Sequence, residues 1–384
     1  MSKKPNIRFP EFNQNWVEKK IDDICFMQAG KFIQASKISE NLESIFFPCY
    51  GGNGLRGYTS TFNYEGKYTL IGRQGALCGN VTLVKNKFYA TEHAIVVSLK
   101  PNFDTDYTYY LLGLLNLNQY ATGQAQPGLS VHNLKEIKTI VSNSLPEQTK
   151  ISSFLTSTDE KLQALKKKLS LLEKYKKGVM QQIFSQEIRF KNDEGNKYTD
   201  WEKQNLGDVL IKNSKKNKNQ EFKLVQSVSN TRGFVNQTDY FEDRIIASKD
   251  LSNYYVIQKG NFAYNPSRID IGSLAYKNDD EISVISPLYI SFSSNKNYLV
   301  DQFLLNWFSV QEFTRQMNSS FEGSVRNTLS FESLSRMTIS FPSVEEQIKI
   351  ANFLSSIDIK INHCKLQLLK MEVWKKGLLQ QMFC

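Results

Sequence analysis

Two long segments of this chain are near copies of each other. "QTKISSFLTSTDEKLQALKKKLSLLEKYKKGVMQQIF" begins at Gln148, and "QIKIANFLSSIDIKINHCKLQLLKMEVWKKGLLQQMF" begins at Gln347. They align without a gap at an offset of 199 residues. Gln148, Lys150, Ile151, Phe154, Leu155, Asp159 and Lys161 match Gln347, Lys349, Ile350, Phe353, Leu354, Asp358 and Lys360. The endings match as well, from Glu173 through Lys176, Lys177, Gly178, Gln181 and Gln182 to Phe184, against Glu372 through Phe383. A repeat of this kind constrains the fold more than any composition does, because each copy must solve the same burial problem.

The repeated unit has a helical period. Apolar steps of four and three place Ile151, Leu155, Thr158, Leu162, Leu165, Leu169 and Leu172 on one stripe, continued by Val179 and Ile183. The second copy gives Ile350, Leu354, Ile357, Ile361, Cys364, Leu368 and Met371, continued by Leu378 and Met382. This is a heptad seam in the same register in both copies, with a lysine, Lys176 or Lys375, at a step that is polar in both. Pro146 and Pro342 stand at the predicted starts, where a missing N–H costs nothing, and Glu147, Glu345 and Glu346 follow in the first turn, where they suit the helix dipole. A helix of about 39 residues is roughly 58 Å long. Two matched stripes in one chain are expected to pair with each other; docking a partner is the rival use. Lysines such as Lys166, Lys167, Lys168, Lys174 and Lys177 fall on the outer faces and read as solvated.

The chain therefore reads as body, helix, body, helix, with expected boundaries 1–145, 146–186, 187–341 and 342–384. The bodies repeat only faintly. Both open on Ile-Arg-Phe and a tryptophan, Trp16 or Trp201. "GQAQPGLSVHNL" and "GSVRNTLSFESL" pair Gly123, Leu129, Ser130 and Leu134 with Gly323, Leu329, Ser330 and Leu334. "KYTLIGRQGALCGNVTLV" and "KFYATEHAIVVSL" are strand-like, whereas "DYTYYLLGLLNLNQYAT" and "VDQFLLNWFSVQEFTRQM" are helix-like with their aromatics in the core. Mixed α/β (α+β) bodies with a pseudo-twofold internal repeat are the expected fold class. Arg73 and Arg268 each precede a glycine-containing strand. His93, in a strand-like stretch, reads as a hydrogen-bonded structural histidine.

"YGGNGLRGY", Tyr50 to Tyr58, contains G-x-G-x-x-G, the spacing of a dinucleotide-binding turn. That turn must leave a strand and open a helix. Here Thr59, Ser60, Thr61, Phe62 and Tyr64 follow, all poor helix formers, and no acidic residue lies at the ribose-binding distance. The stretch reads instead as a flexible exposed loop. The formal net charge of +10 favours an anionic partner, nucleic acid first. Five scattered cysteines without C-x-x-C suit a reducing cytoplasm and give neither a disulfide framework nor a zinc site. No signal peptide or membrane-spanning run is expected.

Two dissimilar bodies, each followed by a near-identical helix that opens on Pro-x-x-Glu-Gln or close to it and closes on Lys-Lys-Gly-x-x-Gln-Gln-x-Phe, resemble the specificity (S) subunit of type I restriction–modification systems over the whole length. The first start, Pro146-Glu147-Gln148, is three residues shorter than Pro342-Ser343-Val344-Glu345-Glu346-Gln347. The resemblance implies two target-recognition domains, each reading half of a bipartite DNA site. It also implies that the helices form an antiparallel coiled coil separating the domains. Two methyltransferase (M) subunits would carry S-adenosylmethionine, restriction (R) subunits would possibly join them, and this chain would hold no cofactor, metal or catalytic residue of its own.

Double-stranded DNA as partner agrees with the charge, and dissimilar bodies imply an asymmetric site. Base readout needs Arg, Asn, Gln and Ser on exposed loops. In the first body the candidates are Asn53, Arg56 and Tyr58 on the glycine loop, Arg73 and Gln74, then Gln124, Gln126 and His132. In the second they are Arg232, Asn265, Ser267 and Arg268, with Arg326 and Asn327. Rival readings are a single-chain DNA adenine methyltransferase and a coiled-coil scaffold with two protein-binding heads. The first would want Asn-Pro-Pro-aromatic, but Asn265-Pro266-Ser267-Arg268 lacks the second proline and the aromatic.

Overall fold

The computed structural model describes residues 4–123, 127–237, 250–321 and 327–383. The chain divides into two compact units, Met1–Lys168 with Cys364–Cys384, and Leu169–His363. Each unit thus takes one body, the first part of one long helix and the last part of the other.

The two bodies have one topology. In the first unit an antiparallel sheet runs Cys25–Ala29, Ala94–Leu99, Tyr68–Gly72, Val81–Val84, and a second runs Gly54–Thr59, Phe47–Gly51, Lys87–Ala90, Tyr64–Glu65, with one parallel pair, Phe47–Gly51 on Lys87–Ala90. A two-stranded ribbon, Val17–Lys20 on Lys138–Val141, closes the body. The second unit repeats this order: Leu210–Asn213, Ile290–Ser294, Asn261–Tyr264, Leu274–Tyr276; then Gly233–Asn236, Val225–Ser229, Ser283–Ile285, Tyr255–Ile257; and the ribbon Glu202–Asn205 on Thr338–Phe341. The strand-like stretches form these ladders. The helix-like stretches are each interrupted. The first gives Thr105–Leu114, stopped where Asn116 turns left-handed, and the second gives Asp301–Trp307 and Gln311–Ser319.

The long helices are Leu145–Phe184 and Val344–Met382. Their starts lie at the repeat offset, so the difference in proline spacing leaves the register unchanged. Pro146 lies inside the first turn, whereas Pro342 lies before its helix, which corrects the expectation that both mark the start. Within the first unit Ile151 and Leu155 share a core with Leu378, Met382 and Phe383. Within the second, Ile350, Leu354, Ile357 and Ile361 share one with Val179, Met180 and Ile183, and Leu169 and Leu172 pack on it. In both units the early turns of one helix lie beside the late turns of the other, so the pairing is antiparallel. Leu162 is buried, whereas Leu165, Leu169, Leu172, Leu368 and Met371 are half-buried, because a two-helix seam leaves its flanks open to water.

The polar seam step has a partner in each unit. Lys176 Nζ lies 2.7 Å from both oxygens of Asp358. Lys375 pairs with Asp159, the repeat counterpart of Asp358, and Asp159 also accepts from the Tyr110 hydroxyl at 2.8 Å. Burial is the main reason, and Asp159 a second one, that the Tyr110 phenol titrates far above its ordinary range.

The repeated Glu-Gln is a staple rather than a surface signal. Gln148 accepts from the Asp104 N–H at 2.9 Å and donates to the carbonyls of Ser142 and Asn102 at 2.8 and 3.3 Å. Gln347 does the same with the Val300 N–H and the carbonyls of Pro342 and Tyr298 at 2.9, 2.9 and 2.7 Å. Glu147 and Glu346, both fully buried, hold the arginine of the Ile-Arg-Phe motif, Arg8 at 2.6 and 2.9 Å and Arg189 at 3.3 and 2.7 Å. The phenylalanine of the same motif sits edge-on against the helix, Phe9 on Phe154 and Phe190 on Phe353. The motif enters each unit in the same way: the Ile188 N–H donates to Gln182 O, and the Ile7 N–H donates to Gln381 O, the repeat counterpart. Ile7 therefore meets the last turns of the second long helix in the first unit, where the second unit has continuous chain.

Candidate nucleic-acid interface

The glycine stretch is a tight hairpin, Phe47–Gly51 paired with Gly54–Thr59, and not the flexible loop its composition suggests. Gly54 turns it at φ +81°, a conformation that favours glycine. Gly52 lies so close to the next segment that a Cβ would come within 2.7 Å of Gln74 O. Gly52 therefore serves close packing within the body. What the hairpin presents is its tip. Asn53 and Arg56 are exposed, whereas Tyr58 is half-buried in the strand, its backbone paired with Ser39. Cys49 is buried beneath, and burial pushes its thiol up to about 11, so it stays neutral.

Beside the tip lies an open cleft of about 460 Å³, lined by Gly51 to Arg56, Gln74, Gly75 and His93. Its second wall is the segment after the central strand. The Arg73 N–H donates to His93 O, Arg73 O accepts from the Leu129 N–H, and the Gly75 N–H donates to Pro127 O, at 2.8, 2.8 and 2.9 Å. Asn80 Nδ2 donates to Asn53 Oδ1 at 3.2 Å and orients that side chain. The sequence reading assigned His93 a structural role. The structure instead places it at the cleft, 40% exposed in its side chain, with Nε2 3.2 Å from Glu92. Its signal was a Thr-Glu-His turn between two strand-like runs. His132 is exposed on the helix Val131–Lys135 and does not line the cleft. Gln124 and Gln126 lie outside the described residues.

The second body builds the same place with different residues. Its hairpin, Val225–Ser229 on Gly233–Asn236, carries Asn230, Thr231 and Arg232 at the tip, where Ser229 Oγ accepts from the Thr231 and Arg232 N–H groups. After the central strand, Asn265 donates from its N–H to Ser273 O as Gly72 does to Asn80 O. Pro266 O accepts from the Leu329 N–H as Arg73 O does from Leu129. Pro266 is therefore the counterpart of Arg73, Ser267 of Gln74, and Arg268 stands two steps further than its sequence pairing with Arg73 suggested. Asn265 Oδ1 accepts from the Ser267 N–H at 3.0 Å, which holds the loop and leaves Ser267 and Arg268 exposed. Asn327 is exposed close before Leu329; Arg326 lies outside the described residues.

In each body three segments converge at one end: a hairpin tip, the loop after the central strand, and the segment leading to Leu129 or Leu329. They expose amides and guanidinium groups, the chemistry that reads base edges and phosphates. Among the described residues no group of acidic, histidine or cysteine side chains is placed to hold a metal ion, and no helix is long and apolar enough to cross a membrane.

The family model for the type I restriction modification DNA specificity domain matches residues 13–174 and again 198–371. The Escherichia coli type I restriction enzyme EcoprrI specificity subunit is 46% identical over 154 residues, 40% of this chain and 38% of that protein. A putative type I specificity subunit of Mycoplasma genitalium, S.MgeORF438P, is 24% identical over 182 residues, 46% of this chain and 47% of that protein. The matched segments thus span less than half the length of either relative. In fold, the chain is similar to the crystal structure of a type I restriction–modification S subunit from M. genitalium, with a TM-score of 0.68 at 17% identity over 99% of both chains. A chain from a structure on complex assembly and conformational transition of the type I system gives a TM-score of 0.52 at 13% identity, covering 96% of each. With both of its bodies matched, the chain belongs to the family of type I restriction modification DNA specificity domains.

Proposed function

We propose that this chain reads an asymmetric, bipartite site in double-stranded DNA, each body taking one half, and brings methyltransferase subunits to it. The observation that carries the reading is one scaffold built twice with two different exposed surfaces. The backbone bonds that place Arg73 and Pro266 are the same, while one tip carries Asn53 and Arg56 and the other Asn230, Thr231 and Arg232. A symmetric site would call for matching tips. The net charge of +10 supports binding to phosphates.

On this reading the chain is the recognition component. Methyl transfer belongs to two methyltransferase subunits that carry S-adenosylmethionine, and restriction subunits join that core. The protein then works in the cytoplasm, where the DNA is. The methylated bases of cells carrying this chain and its methyltransferase are compared with those of cells lacking the chain. A split, asymmetric motif methylated only in the first is expected. The purified chain alone, with S-adenosylmethionine and that DNA, is expected to protect the site and transfer no methyl group. Turnover by the lone chain, or loss of the chain without change in the methylated motif, overturns the proposal.

A further inference from the structure

The turn that carries His93 in the first body has a counterpart in the second with very different chemistry. In the first, Thr91 Oγ1 accepts from the His93 N–H and Thr91 O from the Ala94 N–H. In the second, Ser286 Oγ accepts from the Leu288 N–H and Ser286 O from the Tyr289 N–H. The ladders fix the correspondence independently, since Ile71 pairs with Ile95 where Tyr264 pairs with Ile290. Leu288 therefore stands where His93 stands, and His93 lines the cleft of the first body.

Leu288 is 78% exposed, more than any other large apolar side chain among the described residues. Its turn is held from two sides: Ser286 closes it, and the Tyr289 hydroxyl accepts from the Val228 N–H of the hairpin whose tip carries Arg232. Tyr289 also packs against the small core cluster that includes Val228 and Ile285. A leucine on a fixed turn, at a place where the sister body puts a polar ring, loses hydration free energy until something apolar covers it. The major groove offers one apolar group on base edges, the C5-methyl of thymine.

We infer that Leu288 reads a thymine methyl group in the second half-site. The inference rests on the DNA-reading function proposed above. It makes one A·T pair of that half-site part of the recognised sequence without a hydrogen bond.

The test uses the full chain assembled with its methyltransferase partner and duplexes carrying the methylated motif. Each thymine of the second half-site is replaced in turn by deoxyuridine, which removes the methyl group alone. At one position the wild-type complex should bind about three- to fivefold more weakly, the size expected for one buried methyl group. Leu288→Ala should bind the thymine duplex as weakly as wild type binds the deoxyuridine one, and should be indifferent to the change. Substitutions in the first half-site should affect both proteins alike. A uniform response of Leu288→Ala and wild type at every thymine overturns the inference, as does a half-site of G·C pairs only. Loss of methyltransferase on purification of Leu288→Ala would make the residue a protein contact and overturn it too. A wild-type complex with no sequence preference would instead remove the DNA-reading function itself, and that result precedes any use of deoxyuridine.

Discussion

Removing the carboxylate of Glu147 should be far more costly than removing its repeat counterpart Glu346. Both are fully buried, but their donors differ. Glu147 accepts from Arg8 Nε and Nη2, from the Trp16 indole at 3.2 Å, and from Ser142 Oγ at 2.6 Å. Glu147→Ala strands a guanidinium whose side chain is only 12% exposed, at about 3–5 kcal/mol, and takes the acceptor from the buried indole and hydroxyl, at about 1 kcal/mol each. Shared relaxation reduces the sum to about 4–6 kcal/mol. Glu346 holds Arg189 and the Phe190 N–H, but Arg189 keeps Thr199 O at 2.6 Å and is nearer to solvent. Glu346→Ala should therefore cost about 2–3 kcal/mol. Hydrogen exchange followed by mass spectrometry reads each unit separately. Peptides covering Trp16–Met27 and Thr105–Leu114 should lose protection in Glu147→Ala, and those covering Asp301–Trp307 in Glu346→Ala, to a smaller degree. Equal losses in the two variants, or less than about 1 kcal/mol in Glu147→Ala, would refute the argument that the donor set fixes the cost.

Charge reversal at the polar seam step should be repairable. Lys176→Asp should lower stability by about 2 kcal/mol and Lys176→Asp with Asp358→Lys should recover most of it, a coupling that a double-mutant cycle in denaturant measures. Arg56→Ala should relax one half of the methylated motif and Arg232→Ala the other, by about 1–3 kcal/mol each; a change in both halves from either variant would contradict separate reading. Burial pushes the Cys25 thiol up to about 12, so the unfolded chain ionises first as pH rises. Stability should be full below about pH 8.5 and fall towards pH 12, and Cys25→Ala should flatten that slope in urea titrations. Joining the chain ends with a short linker and opening the chain between Ser185 and Glu187 should give a folded protein with unchanged specificity, checked by its methylated motif. The basis is that Ile7 meets Gln381 as Ile188 meets Gln182.

The long helices were legible because their information is periodic: the seam, the offset and the polar step can each be read from spacing alone. The staple was half legible. Glu147, Gln148 and Ile7-Arg8-Phe9 are visible as repeats, but not that Arg8 bonds to Glu147, 139 positions along the chain. The bodies hid their likeness because ladders are held by backbone groups, so Gly72 and Asn265, or Arg73 and Pro266, occupy one place without sharing a side chain. Hence the misplacement of Arg268 by two steps. The glycine stretch misled for a related reason. Glycine permits both a mobile loop and a tight turn, and only the neighbours, here Gln74 and Ser39, decide between them.

The same division explains how such a chain could change what it reads. In each body the displayed loops hang on bonds that recur between the bodies: Arg73 O and Pro266 O both accept from a leucine N–H, and the Thr91 and Ser286 hydroxyls close the same turn. None of these bonds depends on the side chain displayed. Beneath them, even a core position tolerates a change of kind. The ladders place Lys277 where the first body has Val84, fully buried, with Gln226 and Asp279 accepting from its Nζ at 2.9 and 2.7 Å. The parts that repeat closely, the Glu-Gln staples and the helix seam, are the ones whose side chains bond and pack within the scaffold. Substitution is therefore constrained where side chains hold the scaffold together and free where they face outward from fixed backbone, which is the distribution of likeness and difference between the two halves of this sequence.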